Sequence, residues 1–277
     1  AGLVGFGTGL LLARLNRTLT RGGGSLARIR MGRAALAAMG ATLAVPTAVW
    51  IGERSGLGWQ FAFVVAAALI AIGLWMAMGS APPVVTAGTE GGPLPRSFHL
   101  TWWLVVLGVS VEFSLVFWAS TLVARQVGID LGQATLVAAA FYAGMATTRV
   151  GLSLRWLGAQ DPILVMRLGL VVALAGALMA WVAVDVPLAA LGIFLAGLGT
   201  GSLYPLGVSV ALALVPGQQD RASARLILAS GVAILVAPLL LGVVADATGV
   251  TTAWLLVPAL CLGALALSIP VGRSRTD

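Results

Sequence analysis

Residues 187–214 read PLAALGIFLAGLGTGSLYPLGVSVALAL, 28 consecutive positions without a charged side chain. Coiled as an α-helix at about 1.5 Å per residue, such a run is roughly 42 Å long, more than the ~30 Å hydrocarbon core of a bilayer. It reads as a membrane crossing, and the whole composition agrees. Hydrophobic residues make up 60% of the 277 positions and charged residues 9%, against about 25% charged in soluble domains.

Working outward, long apolar runs mark further spans at 163–184, 226–245 and 250–272, and upstream at 131–148, 101–124, 59–79 and 34–52, with a partial one at 1–13. The expectation is an all-α polytopic membrane protein with about nine transmembrane helices. Apart from Glu112 in the middle of 101–124 and Arg167 near the start of 163–184, the charges belong to the connections.

The 16 basic residues are all arginine, and they test the span count. If each span crosses once, Arg14, Arg17, Arg21, Arg28, Arg30, Arg33, Arg96, Arg149, Arg155, Arg167, Arg221, Arg225, Arg273 and Arg275 share one side, leaving only Arg54 and Arg125 on the other. That split, 14 to 2, predicts a cytoplasmic C-terminus in a plasma-membrane protein. Arginines that merely marked loops would divide evenly. The net charge of +7 therefore reads as topology and not as a nucleic-acid surface. The lone Cys261 rules out an intramolecular disulfide, the lone His99 argues against a metal cluster, and the absence of lysine removes a Walker P-loop. No cofactor is expected.

The stretch from Gly79 to His99, with Pro82, Pro83, Pro93 and Pro95, reads as a linker. It divides the chain into residues 1–78, the linker 79–100 and residues 101–277. The two lobes share a pattern. At an offset of 192, Gly5, Gly7, Thr8, Gly9 and Leu11 fall on Gly197, Gly199, Thr200, Gly201 and Leu203, and Pro46 falls on Pro238. Three spans before the linker then match the last three of six after it. Since 101 − 192 = −91, about 90 residues holding three more spans are expected upstream.

Six plus six helices in two related halves is the layout of the major facilitator superfamily, and local motifs resemble it. Gly144, Met145, Ala146, Thr147, Thr148, Arg149, Val150 and Gly151 resemble its Gly-x-x-x-Asp-Arg-x-Gly loop motif between helices eight and nine, with Thr148 in place of Asp. Pro46, in the stretch from Gly40 to Gly52, is similar to the fifth-helix motif. Gly108, Glu112 and Trp118 resemble the seventh helix of fucose-permease-like carriers, Tyr204-Pro205 after its glycines the tenth, and Asn16 the fourth. The resemblance implies a transporter that rocks two bundles around a midplane site, with Gly144, Thr148, Arg149 and Gly151 in a cytoplasmic gate.

The residues themselves nominate a pathway. An acid at mid-membrane costs about 2.5–3.5 kcal/mol to insert, so Glu112 marks a proton or substrate site, or else packing glue between helices. Trp118, about 120° round the helix from Glu112, either stacks on a substrate or anchors the span; Trp102 and Trp103 read as interfacial belt residues. Tyr204-Pro205 is a kink that serves as a gate or is static. Gly197, Gly199 and Gly201 favour close helix packing over ligand contact. Arg149 is a gate residue or an ordinary topology arginine, and Asn16 a pathway residue or a helix end.

The function expected is secondary active transport of a small organic solute by alternating access, coupled to protons or another ion, by a monomer in a lipid bilayer. An exporter of the same fold is the alternative. A membrane enzyme would need clustered Asp, His or Glu at one membrane face, which the sequence lacks, and nothing speaks for a non-transporting sensor.

Overall fold

Glycines at helix contacts and acids at helix starts account for most of the architecture. The structure, a computed structural model, describes residues 29–30, 51, 54–58, 60–61, 63–68, 92–154, 157 and 159–273. The chain forms two compact units, one of residues 1–33 with 91–277 and one of residues 34–90. Among the described residues the regular structure is all helical.

In the larger unit, α1 spans Arg96–Val127 and stops at Gly128, whose φ of 75° lets its N–H turn back onto the Ala124 carbonyl at 3.1 Å. Helices α2 (Leu131–Ala138) and α3 (Ala140–Ser153) follow, then α4 (Pro162–Trp181), α5 (Val186–Thr200) and α6 (Leu203–Ala213). The chain ends with α7 (Gln219–Thr248), the short α8 (Val250–Ala253) and α9 (Leu256–Arg273). Three acids in the connections open helices. The carboxylates of Asp130, Asp161 and Asp185 accept from the backbone N–H groups of Gln133, Leu164 and Leu188 at 3.0, 3.0 and 2.8 Å. Each satisfies a donor that a helix start leaves without a partner, and Pro162 and Pro187 beside two of them need none.

Among the described residues, five helical stretches are long and apolar enough to cross a membrane: 96–127, 162–181, 186–213, 219–248 and 250–272. They coincide within a few residues with spans expected from the sequence. The expected span 131–148 is instead two helices that meet at Ala139 and run on to Ser153. Arg149 does not end that helix, because its side chain turns into the bundle and finds a partner there. Arg167 likewise lies within α4 and not in a loop, where its Nε donates to Ser268 Oγ at 3.0 Å and its Nη2 to the Ser268 carbonyl at 2.7 Å.

Helix α5 is held between α3 and α4 by glycines on two of its faces. A Cβ on Gly192 or Gly199 would overlap the backbone of α4 at Ala180 or at Gly169 and Ala173, and one on Gly176 of α4 would overlap Ala196. On the other face, a Cβ on Gly197 would overlap the Phe141 carbonyl, and one on Gly144 of α3 would overlap Phe194 and Leu198. Backbones approach this closely only where side chains are absent, which is how helices associate without a hydrophobic driving force between them. Past Gly201 and Ser202 the helix kinks, since Pro205 has no N–H for the Gly201 carbonyl.

Tryptophans fasten the outer helices. Trp102 donates to the Arg225 carbonyl at 3.1 Å, Trp118 to Pro238 at 3.0 Å, Trp181 to Thr251 at 2.8 Å and the fully buried Trp254 to Ala177 at 2.9 Å. Gln126 adds a bond to the Trp181 carbonyl at 2.6 Å, so α1, α4 and α8 meet at one end of the bundle.

In the smaller unit, Gly56 and Gly58 adopt left-handed φ values of 76° and 72°, and helix resumes beyond them at 63–68. This turn falls between the spans expected at 34–52 and 59–79. Residues 1–13, Asn16, Pro46, nearly all of 34–52, most of 59–79 and the linker as far as Gly91 lie outside the described residues, and with them one half of the internal repeat.

Gly197→Ala should weaken the bundle by about 1–3 kcal/mol through overpacking against α3. Gly231→Ala on α7, where a Cβ meets nothing within 4 Å, should be neutral or slightly stabilising. Thermal unfolding in detergent distinguishes the two.

Candidate functional site

Glu112 stands at the midpoint of α1, and Arg149 reaches it from α3. Arg149 Nη2 lies 3.9 Å from Glu112 Oε1, and the two side chains are only 13% and 14% exposed. Helix α3 is positioned for this contact by its opposite side. Gly144 admits the backbone of α5 at Phe194 and Leu198, and Thr148 donates its hydroxyl to the Leu198 carbonyl at 2.5 Å. With that side docked, Arg149 is turned toward α1.

The sequence motif at 144–151 is therefore helix and not loop; the chain leaves the helix at Leu154. Thr148 shows why an acid is absent there. A carboxylate cannot donate to the Leu198 carbonyl, whereas a hydroxyl can. Gly151 is approached by the side chain of Leu157, which would lie 3.3 Å from a Cβ.

The structure brings Glu112 and Arg149 together and disperses the other nominated residues. The indole N–H of Trp118 is bound to the Pro238 carbonyl, and its ring covers Gly242, where a Cβ would lie 3.1 Å away. Trp118 is thereby fixed on α7. Pro205 is buried, and Tyr204 is half-buried against the cluster that contains Val105, Val109 and Val208. Asn16 lies outside the described residues.

Chemically, the pair is a carboxylate that can hold a proton facing a guanidinium that cannot lose one. Ionised, Glu112 is compensated by Arg149. Protonated, it withdraws that compensation from Arg149, which favours a shift of the guanidinium toward another anionic partner or toward water.

No family model and no curated protein matches the chain in sequence. Solved structures do match in shape. FucP, a Major Facilitator Superfamily transporter in the outward conformation, superposes with a TM-score of 0.74 at 16% identity, over 94% of this chain and 72% of its own. A variant of the E. coli fucose:proton symporter FucP gives 0.71 at 18% identity, over 96% and 73%. The human organic anion transporter TETRAN gives 0.72 at 17%, over 94% and 67%.

The chain has the major facilitator fold. It is a multi-pass membrane protein. At these identities the likeness concerns the path of the major facilitator backbone, and the side-chain pair at 112 and 149 is a property of this sequence.

Sequence reasoning missed Arg149 as the partner of Glu112, having placed it in a loop one residue beyond a span. The available signal was reciprocal: an acid in mid-span needs a cation, and a span extended by one turn supplies it.

Breaking a buried pair from one side strands the other charge at a cost of about 3–5 kcal/mol, whereas removing both charges avoids it. Glu112→Gln should accordingly be strongly destabilising, since it strands a guanidinium that cannot lose its proton, and the double variant with Arg149→Gln should recover more than half of the loss. Equal losses in the single and double variants would show that the pair carries no coupling. Denaturant titrations in detergent provide the measurement.

Proposed function

We propose that the intact protein is a secondary active transporter that moves a small organic solute by alternating access, coupled to protons at Glu112. The observation that carries this reading is the mostly buried Glu112–Arg149 pair at mid-span in a bundle of major facilitator fold. An ionisable pair inside a membrane is expensive, and a charge-relay task explains its retention. In this reading, residues 101–277 form one six-helix bundle, 79–100 the cytoplasmic linker, and 1–78 the last three helices of the partner bundle.

The cycle follows from the pair. Protonation of Glu112 from one side of the membrane releases Arg149, the bundles rock, and deprotonation on the other side re-forms the pair. Arg149 then joins coupling to gating, with Gly144, Thr148 and Gly151 setting where it can reach, while the Tyr204-Pro205 kink supplies a flexible point in the wall. Trp118, its indole N–H taken by Pro238, can offer a pathway only its ring face, and Asn16 is the further pathway residue that the sequence nominates. The arginine asymmetry supports a cytoplasmic C-terminus and a plasma-membrane setting. The likeness in fold to carriers favours a transporter over an enzyme.

Glu112→Gln keeps size and hydrogen bonding but cannot change charge. In proteoliposomes of the full-length protein, accumulation driven by a pH gradient of about one unit should fall about tenfold, the factor that one coupled proton supplies at about 1.4 kcal/mol per pH unit. Exchange of solute down its own gradient should survive, since exchange need not cycle the proton. Undiminished accumulation by the Gln variant would remove Glu112 from the coupling step.

A further inference from the structure

A groove separate from the ion pair lies between the first turns of α1 and α7. Phe98, His99, Trp102, Trp103, Arg225 and Leu228 line a cavity of about 270 Å³. The spacing explains its shape. Phe98 and Trp102, and His99 and Trp103, are i, i+4 pairs on adjacent rows of α1, and Arg225 and Leu228 are an i, i+3 pair on α7. The indole N–H of Trp102 is bound to the Arg225 carbonyl at 3.1 Å, which fixes the distance between the two helices. Trp103 stands nearly perpendicular to Trp102, with ring centroids 4.8 Å apart.

The groove opens outward. Trp103 is 54% and Leu228 69% exposed, and below Leu228 the exposed Val232, Leu235 and Leu239 continue one apolar row along α7. Arg225 lines the groove, and Arg96, Asp220 and Arg221 stand on the first turns of the same two helices. The site thus sets tryptophans and an arginine together at the start of two membrane-crossing helices, the place where an interface would lie, with an apolar track leading away along α7.

We propose that this groove binds an anionic phospholipid of the leaflet at the arginine-rich end of the bundle, its phosphate beside Arg225, its glycerol region against Trp102 and Trp103, and one acyl chain along Leu228 and Val232. Basic pockets between transmembrane helices are suited to such headgroups, and a free phosphate would make no use of the apolar track. The inference depends on the membrane setting and not on the transport reading, so transport assays do not decide it.

The test uses the full chain in phosphatidylcholine vesicles, with acyl-brominated phosphatidylglycerol or acyl-brominated phosphatidylcholine at equal mole fraction as contact quenchers of tryptophan. Phosphatidylglycerol should occupy the groove with about a fivefold preference, the enrichment that one arginine provides at a membrane surface. Trp103→Phe should remove most of the excess quenching, which locates it. Arg225→Gln should abolish the excess, Arg225→Lys should retain part of it, and Arg125→Gln at the far end of α1 should leave it unchanged. Equal quenching by the two lipids, or an excess that survives Arg225→Gln, would overturn the proposal. So would loss of the excess on adding inorganic phosphate or glycerol 3-phosphate, which would assign the site to a soluble anion.

Discussion

Hydrocarbon offers no hydrogen-bond partner, so a polar group inside a membrane protein must be satisfied by the protein itself, and this structure is organised around that demand. Four indole N–H groups end on carbonyls of neighbouring helices, Arg167 is bound twice to Ser268, and Thr148 is bound to Leu198. The demand is graded. The buried hydroxyls of Ser114 and Ser223 make no hydrogen bond, a cost of about 1–3 kcal/mol each. A stranded charge costs more, and Glu112 and Arg149 are held opposite each other.

That pairing is built by residues that carry no chemistry. Gly144 and Gly197 let α3 lie directly on α5, Thr148 locks the register, and the far side of α3 then presents Arg149 to α1. On its other face α5 is fixed to α4 by Gly192, Gly199 and Gly176. The small-residue pattern thus reaches function through geometry: it determines how far apart the helices stand, and that distance determines whether the guanidinium reaches the carboxylate.

The spans themselves were readable because hydropathy over about 20 residues dominates every other signal in a membrane helix. Their starts were readable too, in principle, since Asp161-Pro162 and Asp185 before Pro187 carry the chemistry of helix N-termini. The partner of Glu112 was not, because it lies 37 residues away on another helix and periodicity carries no information about which helices meet. The loop reading of 144–151 failed for a related reason. A polar residue next to an apolar run looks like the end of a span unless its buried partner is known. Trp118 illustrates the limit from the other direction: sequence gave it stacking or anchoring, and what decides its placement is a carbonyl on α7.

In the proposed cycle Glu112 exchanges a proton for its contact with Arg149. Infrared difference spectroscopy of the full-length protein across an acid-to-neutral pH step, with Glu112→Gln to assign the carboxyl band, measures this most directly. The account predicts a protonated-carboxyl band belonging to Glu112 that disappears on ionisation and that shifts its pH dependence in Arg149→Gln. A Glu112 that stays in one protonation state throughout the pH step would contradict it.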